Sequence, residues 1–266
     1  MFEKAHVDLM ASAIRSRVKF TDSPLLVGLA GPQGSGKSTL AAQLANALES
    51  ASLQPVVLSI DDFYLSKSAR TDLANRTHPL LATRGVPGTH EADLLLIVIN
   101  QLLSHTSEKL EWPVFVKALD DRHPTAVNSF VLDPKRTCVA ILEGWCVGCL
   151  PLKNLSIPIN ELESTEDPSG VWRTFVNDQI DAKYTPIWSR MDYFLYMHVP
   201  TFDLVHEWRR LQSIGNGENL ARFNVERFIQ FFERVTRAMM QPCGRIPTDL
   251  NVYLARDHSI AKLELP

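Results

Sequence analysis

The chain has 266 residues, of which 45% are hydrophobic and 21% are charged, as is typical of a globular protein with a sizeable core. Its net charge of −3 and pI near 6.2 provide no basic field, which argues against a nucleic-acid partner because phosphate backbones attract cationic surfaces. The length favours a single domain over residues 1–266.

The first segment, residues 1–20, has apolar residues at helical spacing, with charged residues between them. It lacks the apolar stretch of a signal peptide, and no segment reaches the roughly 18 apolar residues of a membrane span. We therefore expect an N-terminal helix, a cytoplasmic location and no membrane partner, whereas the sequence does not predict the oligomeric state.

A strand, a glycine-rich loop and a helix follow. Residues 25–30 form a short apolar run typical of a buried parallel strand, and residues 37–48 have the spacing of a helix. The intervening segment matches G-x-x-x-x-G-K-[ST], in which glycines let backbone N–H groups surround phosphates, Lys37 adds a charge and Ser38 offers a hydroxyl to Mg²⁺. The predicted binding residues for ATP and Mg²⁺ are Gly31, Pro32, Gln33, Gly34, Ser35, Gly36, Lys37, Ser38 and Thr39.

A second predicted strand, residues 55–60, ends directly on two aspartates, Asp61 and Asp62. Open α/β sheets place ligands at the carboxyl ends of their strands, beside the phosphate loop. A carboxylate there can accept the proton of a hydroxyl nucleophile and can also bind Mg²⁺. We assign Asp61 to catalysis and to the metal; for Asp62, a helix N-cap is the alternative to a substrate contact.

A third apolar strand, residues 137–142, ends on Glu143. P-loop proteins place the acidic residue that orients Mg²⁺ at this position, and an unpartnered carboxylate would be costly there. Glu143 is therefore a predicted metal residue, with a structural ion pair as the alternative.

The remaining elements predict a mainly parallel sheet with helices on both faces. A polar loop at 66–89, within a substrate loop at 64–91, precedes a helix at 92–103 and a short strand at 114–117. Breakers and isolated aromatics between 151 and 187 suggest a helical insertion. The other predicted elements are strands at 193–199 and 250–255 and helices at 202–211 and 225–240.

A lid is predicted at residues 205–222. Arg209 and Arg210 follow Trp208 on a predicted helix, and a planar guanidinium can bridge several phosphate oxygens. The segment Gly215-Asn216-Gly217 would provide the hinge that a lid needs. Both arginines are therefore candidates for stabilising the transferring phosphoryl group.

Several motifs together resemble the plant-type D-glycerate 3-kinase family, which belongs with uridine kinases, phosphoribulokinases and pantothenate kinases. The resemblance implies a P-loop NTPase fold and ATP-dependent phosphorylation of a small hydroxy acid such as D-glycerate. Asp61 matches the family's catalytic carboxylate, and the implied substrate residues are Asp62, Tyr64, Arg84, His90 and Lys117, the last three as grips for the substrate carboxylate. The motifs are Gly31 to Ser38, Ser59 to Tyr64, Arg84 to His90, Lys117 to Arg122, and Leu142 to Trp145.

Two positions depart from the family pattern, because Val116 and Glu91 stand where relatives typically have aspartate. If the missing aspartate contacts the substrate, the choice of acceptor changes. Two alternatives therefore stay open: a kinase for a nucleoside, a sugar phosphate or a pantothenate-like acceptor, and a regulatory P-loop protein that binds ATP without a small acceptor.

Overall fold

The computed structural model describes residues 1–21, 23–50, 52–104, 108–215 and 224–265. Six strands form one sheet in the order β2-β5-β1-β6-β7-β8, in which only the pairing of β7 with β8 is antiparallel. This confirms the predicted mainly parallel α/β fold. The strands are β1 (Leu25–Ala30), β2 (Leu53–Ser59), β3 (Lys109–Val116), β4 (Asp121–Val131), β5 (Thr137–Gly144), β6 (Tyr193–His198), β7 (Leu250–Leu254) and β8 (Ile260–Glu264).

Helices cover both faces of this sheet. The α-helices are α1 (Lys4–Thr21), α2 (Lys37–Leu48), α3 (Lys67–Arg76), α4 (Ala92–Ser104), α5 (Glu161–Glu166), α6 (Val171–Gln179), α7 (Thr185–Trp188), α8 (Asp203–Gly215) and α9 (Val225–Met239). Short 3₁₀ turns occur at Ile60–Phe63, Pro79–Ala82 and Pro242–Gly244, and a π-helical turn at Ile180–Tyr184. Among the described residues, no helix has the length and apolar character needed to cross a membrane.

The core has two apolar layers, one on each face of the sheet. Along β1, Leu25, Val27 and Leu29 pack with α1, α2 and α8, whereas Leu26 and Ala30 pack with α4 and α6. Side chains alternate between the two faces of a strand, so a strand covered on both faces must be apolar throughout. Parallel pairing of β5 with both β1 and β2 places the carboxyl ends of these three strands side by side.

The predicted polar loop at 66–89 was wrong in part, because it contains a helix. The helix α3 begins after Ser66, whose hydroxyl accepts a hydrogen bond of 3.2 Å from the Ala69 N–H. A 3₁₀ turn follows at Pro79–Ala82. Few apolar residues occur in α3, so its sequence lacks the apolar stripe that predicts a helix.

The short strand predicted at 114–117 is the end of a longer hairpin. Strands β3 and β4 pair antiparallel from Lys109↔Val131 to Val116↔Asp121 and form a separate two-stranded sheet. Most β4 residues are exposed, so the strand carries no apolar alternation that would predict it. The edge strand β8 was missed for a similar reason, whereas the segment 151–187 folds into α5, α6, the π-helical turn and α7.

Candidate active site

The glycine-rich loop lies between the buried end of β1 and the first turn of α2. Gly34 and Gly36 have φ angles of 78° and 87°, in the left-handed region that side chains disfavour. A Cβ atom on Gly34 would also lie 2.7 Å from the Cβ of Trp208 on α8. The loop therefore needs glycine both for its turn and for the close approach of α8.

Several polar atoms of this loop fit an anionic ligand. The Lys37 ammonium donates to the Pro32 carbonyl at 2.9 Å, and burial lowers the pKa of Lys37. Within the described part of the chain, Gln33 Nε2 and Ser35 Oγ are buried without a hydrogen-bond partner. Buried polar groups normally have partners, so these atoms and the inward-turned loop fit bound phosphates. Thr39 is exposed and lines a second cavity together with Ser35 and Gly36 of the same loop.

Glu143 is the last residue but one of β5, where strand pairing places it beside Ser59 of β2 and next to β1. Its Oε1 accepts hydrogen bonds from Ser38 Oγ at 3.0 Å and from Ser59 Oγ at 2.9 Å. Burial raises the pKa of this carboxyl, while the charge of Lys37 and the two hydroxyls oppose the rise.

Together, Ser38, Asp61 and Glu143 fit a cation that also binds phosphate. Their oxygens line one cavity. Among the described residues, no group of three His, Cys, Asp or Glu side chains forms a complete metal-binding set. Mg²⁺ in nucleotide enzymes typically has one or two carboxylates plus phosphate oxygens and water, which agrees with this sparse set of ligands.

Asp61 lies in the 3₁₀ turn that follows β2 and forms an ion pair with Lys117, with 2.6 Å between Oδ2 and Nζ. Burial by itself would raise the pKa of Asp61. The charge and hydrogen bond of Lys117 outweigh the effect of burial, and Tyr64 lowers the pKa further. The pKa of Asp61 is therefore below its usual value. Asp61 is therefore an ionised carboxylate that can accept a hydrogen bond from a hydroxyl.

Asp62 has a different environment. Its Oδ1 accepts a hydrogen bond of 3.4 Å from the Phe115 N–H, and burial raises its pKa to about 6. Ser59, not Asp62, occupies the N-cap position of the turn. The N-cap alternative is therefore wrong, and the carboxylate connects the turn to β3.

Two arginines hold the turn between β3 and β4, and one of them, Arg84, lines the cavity. Asp120, with a left-handed φ of 51°, accepts from Arg84, and its Oδ2 lies 2.8 Å from Nη2 of the fully buried Arg70. Both guanidinium groups lie over the Phe115 ring, at 5.4 and 5.6 Å from its centroid. These contacts hold the turn that carries Lys117.

The environment of His90 contradicts its predicted role as a cationic grip for the substrate carboxylate. His90 is buried, burial lowers its pKa to about 4, and its ring stacks on Tyr64, so it is neutral near pH 7 and lies behind that ring. It therefore does not supply a cationic grip for a carboxylate. The neighbouring Glu91 forms an ion pair of 3.0 Å with Arg122, whose Nε donates to the Tyr64 carbonyl at 2.8 Å.

The two predicted lid arginines have different positions on α8. Arg209 is buried at the cavity with its guanidinium 4.7 Å from the Phe228 ring centroid, whereas Arg210 is exposed. The structure thus brings Arg209, and not Arg210, to the site. Of the predicted hinge, Asn216 and Gly217 lie outside the described residues.

A single cavity collects most of the predicted site. Four further lining residues carried no predicted role: Gly144, Trp145, which donates to the Gly85 carbonyl at 3.1 Å, and Phe228 and Phe232 of α9. The two phenylalanines follow the ordinary apolar spacing of a packed helix, which gives no signal of a site. The predicted residues that line the cavity are Gln33, Gly34, Lys37, Ser38, Asp61, Tyr64, Arg84, Lys117, Glu143 and Arg209.

The phosphate loop, the carboxylates at adjacent strand ends and the arginine of α8 define a P-loop kinase. No family model matches the chain. The uncharacterized kinase mug58 of Schizosaccharomyces pombe is 31% identical over 213 residues, which cover 78% of this chain and 76% of that protein. The chain belongs to the family of P-loop kinases that contains mug58 and D-glycerate 3-kinase, which confirms the resemblance.

Two D-glycerate 3-kinases show the extent of this similarity. The chloroplastic enzyme of Arabidopsis thaliana is 27% identical over 209 residues, covering 74% of this chain and 43% of that protein. The solved structure of D-glycerate 3-kinase from Cryptococcus neoformans has a TM-score of 0.75 at 24% identity, and covers 98% of this chain and 99% of that chain. The latter match extends the shared fold over nearly the whole chain.

Proposed function

We propose that this kinase transfers the γ-phosphoryl group of ATP to a hydroxyl of a small hydroxy acid, with D-glycerate as the acceptor. The observation that carries the proposal is the ion pair of 2.6 Å between Asp61 and Lys117, on the same cavity as Lys37. This contact supports a role for Asp61 as the base and for Lys117 as a substrate-binding cation, because both residues line the cavity that the phosphate loop also lines. The D-glycerate 3-kinases among the relatives support the choice of acid.

The donor half of the site is formed by the loop and α8. The backbone N–H groups of the loop, which Pro32 alone lacks, surround the phosphates, and Lys37 places its charge near the β and γ oxygens. Arg209 lies at the cavity and balances charge that develops on the transferring group. Ser38, Asp61 and Glu143 would hold Mg²⁺, which neutralises charge on the β- and γ-phosphate oxygens when it is bound.

The acceptor half is formed by Asp61, Lys117 and Arg84. A hydroxyl within hydrogen-bond reach of Asp61 gives its proton to that carboxylate as the oxygen attacks phosphorus. Lys117 and Arg84, both at the cavity, attract the carboxylate of the acceptor. Positioning and electrostatics supply the acceleration, because phosphoryl transfer needs little covalent assistance from protein groups.

The test combines an acceptor panel with one substitution. ATP turnover is measured by ADP production with D-glycerate, glycerol, uridine, pantothenate and a sugar phosphate. We expect D-glycerate to have the highest kcat/KM, and glycerol, which lacks the carboxylate, to be poor. ADP formation that no acceptor stimulates would overturn the proposal.

Asp61→Asn should abolish transfer while ATP affinity stays within a factor of about three, since the phosphate loop is unchanged. Asp72→Asn, an equivalent change at an exposed position of α3, is the matched control and should keep full activity. Retained turnover in Asp61→Asn would disprove the role of Asp61 as the base.

A further inference from the structure

One residue of the segment 151–187 reaches toward the acceptor half of the cavity. Tyr184 ends the π-helical turn Ile180–Tyr184 and is fully buried. Single π-helical turns occur frequently near functional sites, where they displace one side chain from the regular helical register. The contacts of the Tyr184 hydroxyl show what this side chain does.

That hydroxyl joins two residues of the segment 64–91. It accepts a hydrogen bond of 3.0 Å from the Gly88 N–H and lies 2.7 Å from Nδ1 of His90. The Tyr184 hydroxyl thus connects the Gly88 backbone to the His90 imidazole and fixes the orientation of that ring.

The fixed imidazole in turn supports Tyr64. The two rings stack with centroids 4.3 Å apart and an interplanar angle of 19°, and the backbones of the two residues form an antiparallel bridge. Phe115 packs edge-on against Tyr64 at 5.1 Å. The Tyr64 side chain is thus held on two sides and lines the same cavity as Asp61, whose carbonyl accepts a hydrogen bond of 3.4 Å from the Tyr64 N–H. The Tyr64 hydroxyl also helps to lower the pKa of the Asp61 carboxyl.

We propose that Tyr184 and His90 are positioning residues, which hold Tyr64 so that its hydroxyl orients the Asp61 carboxylate toward the acceptor. This inference rests on the proposed function, in which Asp61 takes the proton of the acceptor. A carboxylate that rotates out of line loses hydrogen-bond reach to the hydroxyl, and displacements of about 1 Å cost up to 10²-fold in rate. The insertion thereby contributes to catalysis without contacting the substrate.

A double-mutant cycle tests this chain of contacts. Tyr184→Phe and Tyr64→Phe each remove one hydroxyl and keep the ring, so each should lower kcat on the order of tenfold with the KM for ATP unchanged. The double variant should have the kcat of Tyr64→Phe alone, because Tyr184 acts through Tyr64. A purely structural role would instead make the two losses multiply, as independent effects do.

Tyr193→Phe is the matched control. Tyr193 is buried at the amino-terminal end of β6, whereas the cavity lies at the carboxyl ends of the strands, so this variant should leave kcat unchanged. If Tyr184→Phe does not fold, His90→Asn, which removes the stacked ring, repeats the cycle with Tyr64→Phe. Wild-type kcat in Tyr184→Phe, or multiplying losses in either double variant, would overturn the inference. If Asp61→Asn loses turnover while Tyr184→Phe keeps it, the positioning role of Tyr184 is refuted and the proposed function stands. If Asp61→Asn keeps turnover, the role of Asp61 as the base is refuted.

Discussion

The contribution of His90 to stability should fall below pH 6.5, because this residue is buried as a neutral imidazole. Burial lowers the pKa of His90 from 6.5 to about 4, and the nearby charge of Asp61 only partly opposes this. Between these two values the unfolded chain binds a proton at this residue and the folded chain does not. A group with a lowered pKa in the folded state contributes stability above its unfolded pKa, and that contribution is lost as the pH falls through the folded value.

The lowered pKa of His90 corresponds to a loss of about 3 kcal/mol in the free energy of unfolding once the pH is below 4. Most of that loss falls between pH 6.5 and 4.5. Asp62 has the opposite effect on stability, because burial raises its pKa to about 6. Its contribution to the free energy of unfolding is present at low pH and is lost as the pH rises. The pH profile of the wild type alone therefore mixes two effects of opposite sign.

Comparison of the wild type with His90→Asn separates the two effects, since Asp62 is common to both. Urea unfolding at pH 7.5 and at pH 4.5 gives the free energy of unfolding of each protein. At pH 7.5 the variant should be less stable, because it loses the stacked ring. At pH 4.5 the difference should shrink by about 2–3 kcal/mol, since only the wild type must keep an imidazole neutral. A difference that is the same at both pH values would refute the assignment of a buried neutral His90.

Two further substitutions test the two ends of the cavity. Arg209→Ala should lower the steady-state kcat by about 10²-fold. Arg210→Ala, which truncates an exposed side chain on the same helix, is the control and should change kcat by less than about threefold. Equal losses of kcat in the two variants would contradict the assignment of Arg209 as the lid arginine. Asp120→Asn keeps a residue that tolerates the left-handed backbone but weakens the ion pairs with Arg70 and Arg84. We expect the free energy of unfolding, measured in urea, to fall by about 1–3 kcal/mol. The KM for the acceptor should rise while the KM for ATP stays unchanged. A rise in the KM for ATP alone would show that the turn serves the donor half.

The donor half of the site could be predicted from the sequence because its residues are close along the chain. Eight consecutive residues form the phosphate loop, and the glycine spacing directly reflects backbone angles such as φ 78° at Gly34. Asp61 and Glu143 could also be found, since each directly follows an apolar run. Parallel pairing then brings the ends of β2 and β5 together, as the register of Ser59 with Glu143 shows.

The acceptor half was harder to predict, because its residues meet only through tertiary contacts. Lys117 approaches Asp61 through a hairpin whose second strand is mostly exposed and lacks apolar alternation. Tyr184 meets His90 across 94 positions of the chain, and no periodicity encodes such a contact. The charge of His90 depends on burial rather than on residue type, so the family motif suggested a cation where the fold has a neutral ring.

The donor and acceptor halves of the site therefore differ in how readily their residues can be substituted without disturbing the fold. The phosphate loop of the donor half follows β1, which is buried throughout, and Gly34 lies against Trp208, so a substitution there disturbs the packing around the loop. The proposed acceptor cation Lys117 lies outside the main sheet, directly after Val116 at the end of β3, and is exposed. A change in this hairpin therefore leaves the paired strand ends undisturbed. We expect the hairpin to be where acceptor choice can diverge while the ATP site stays the same.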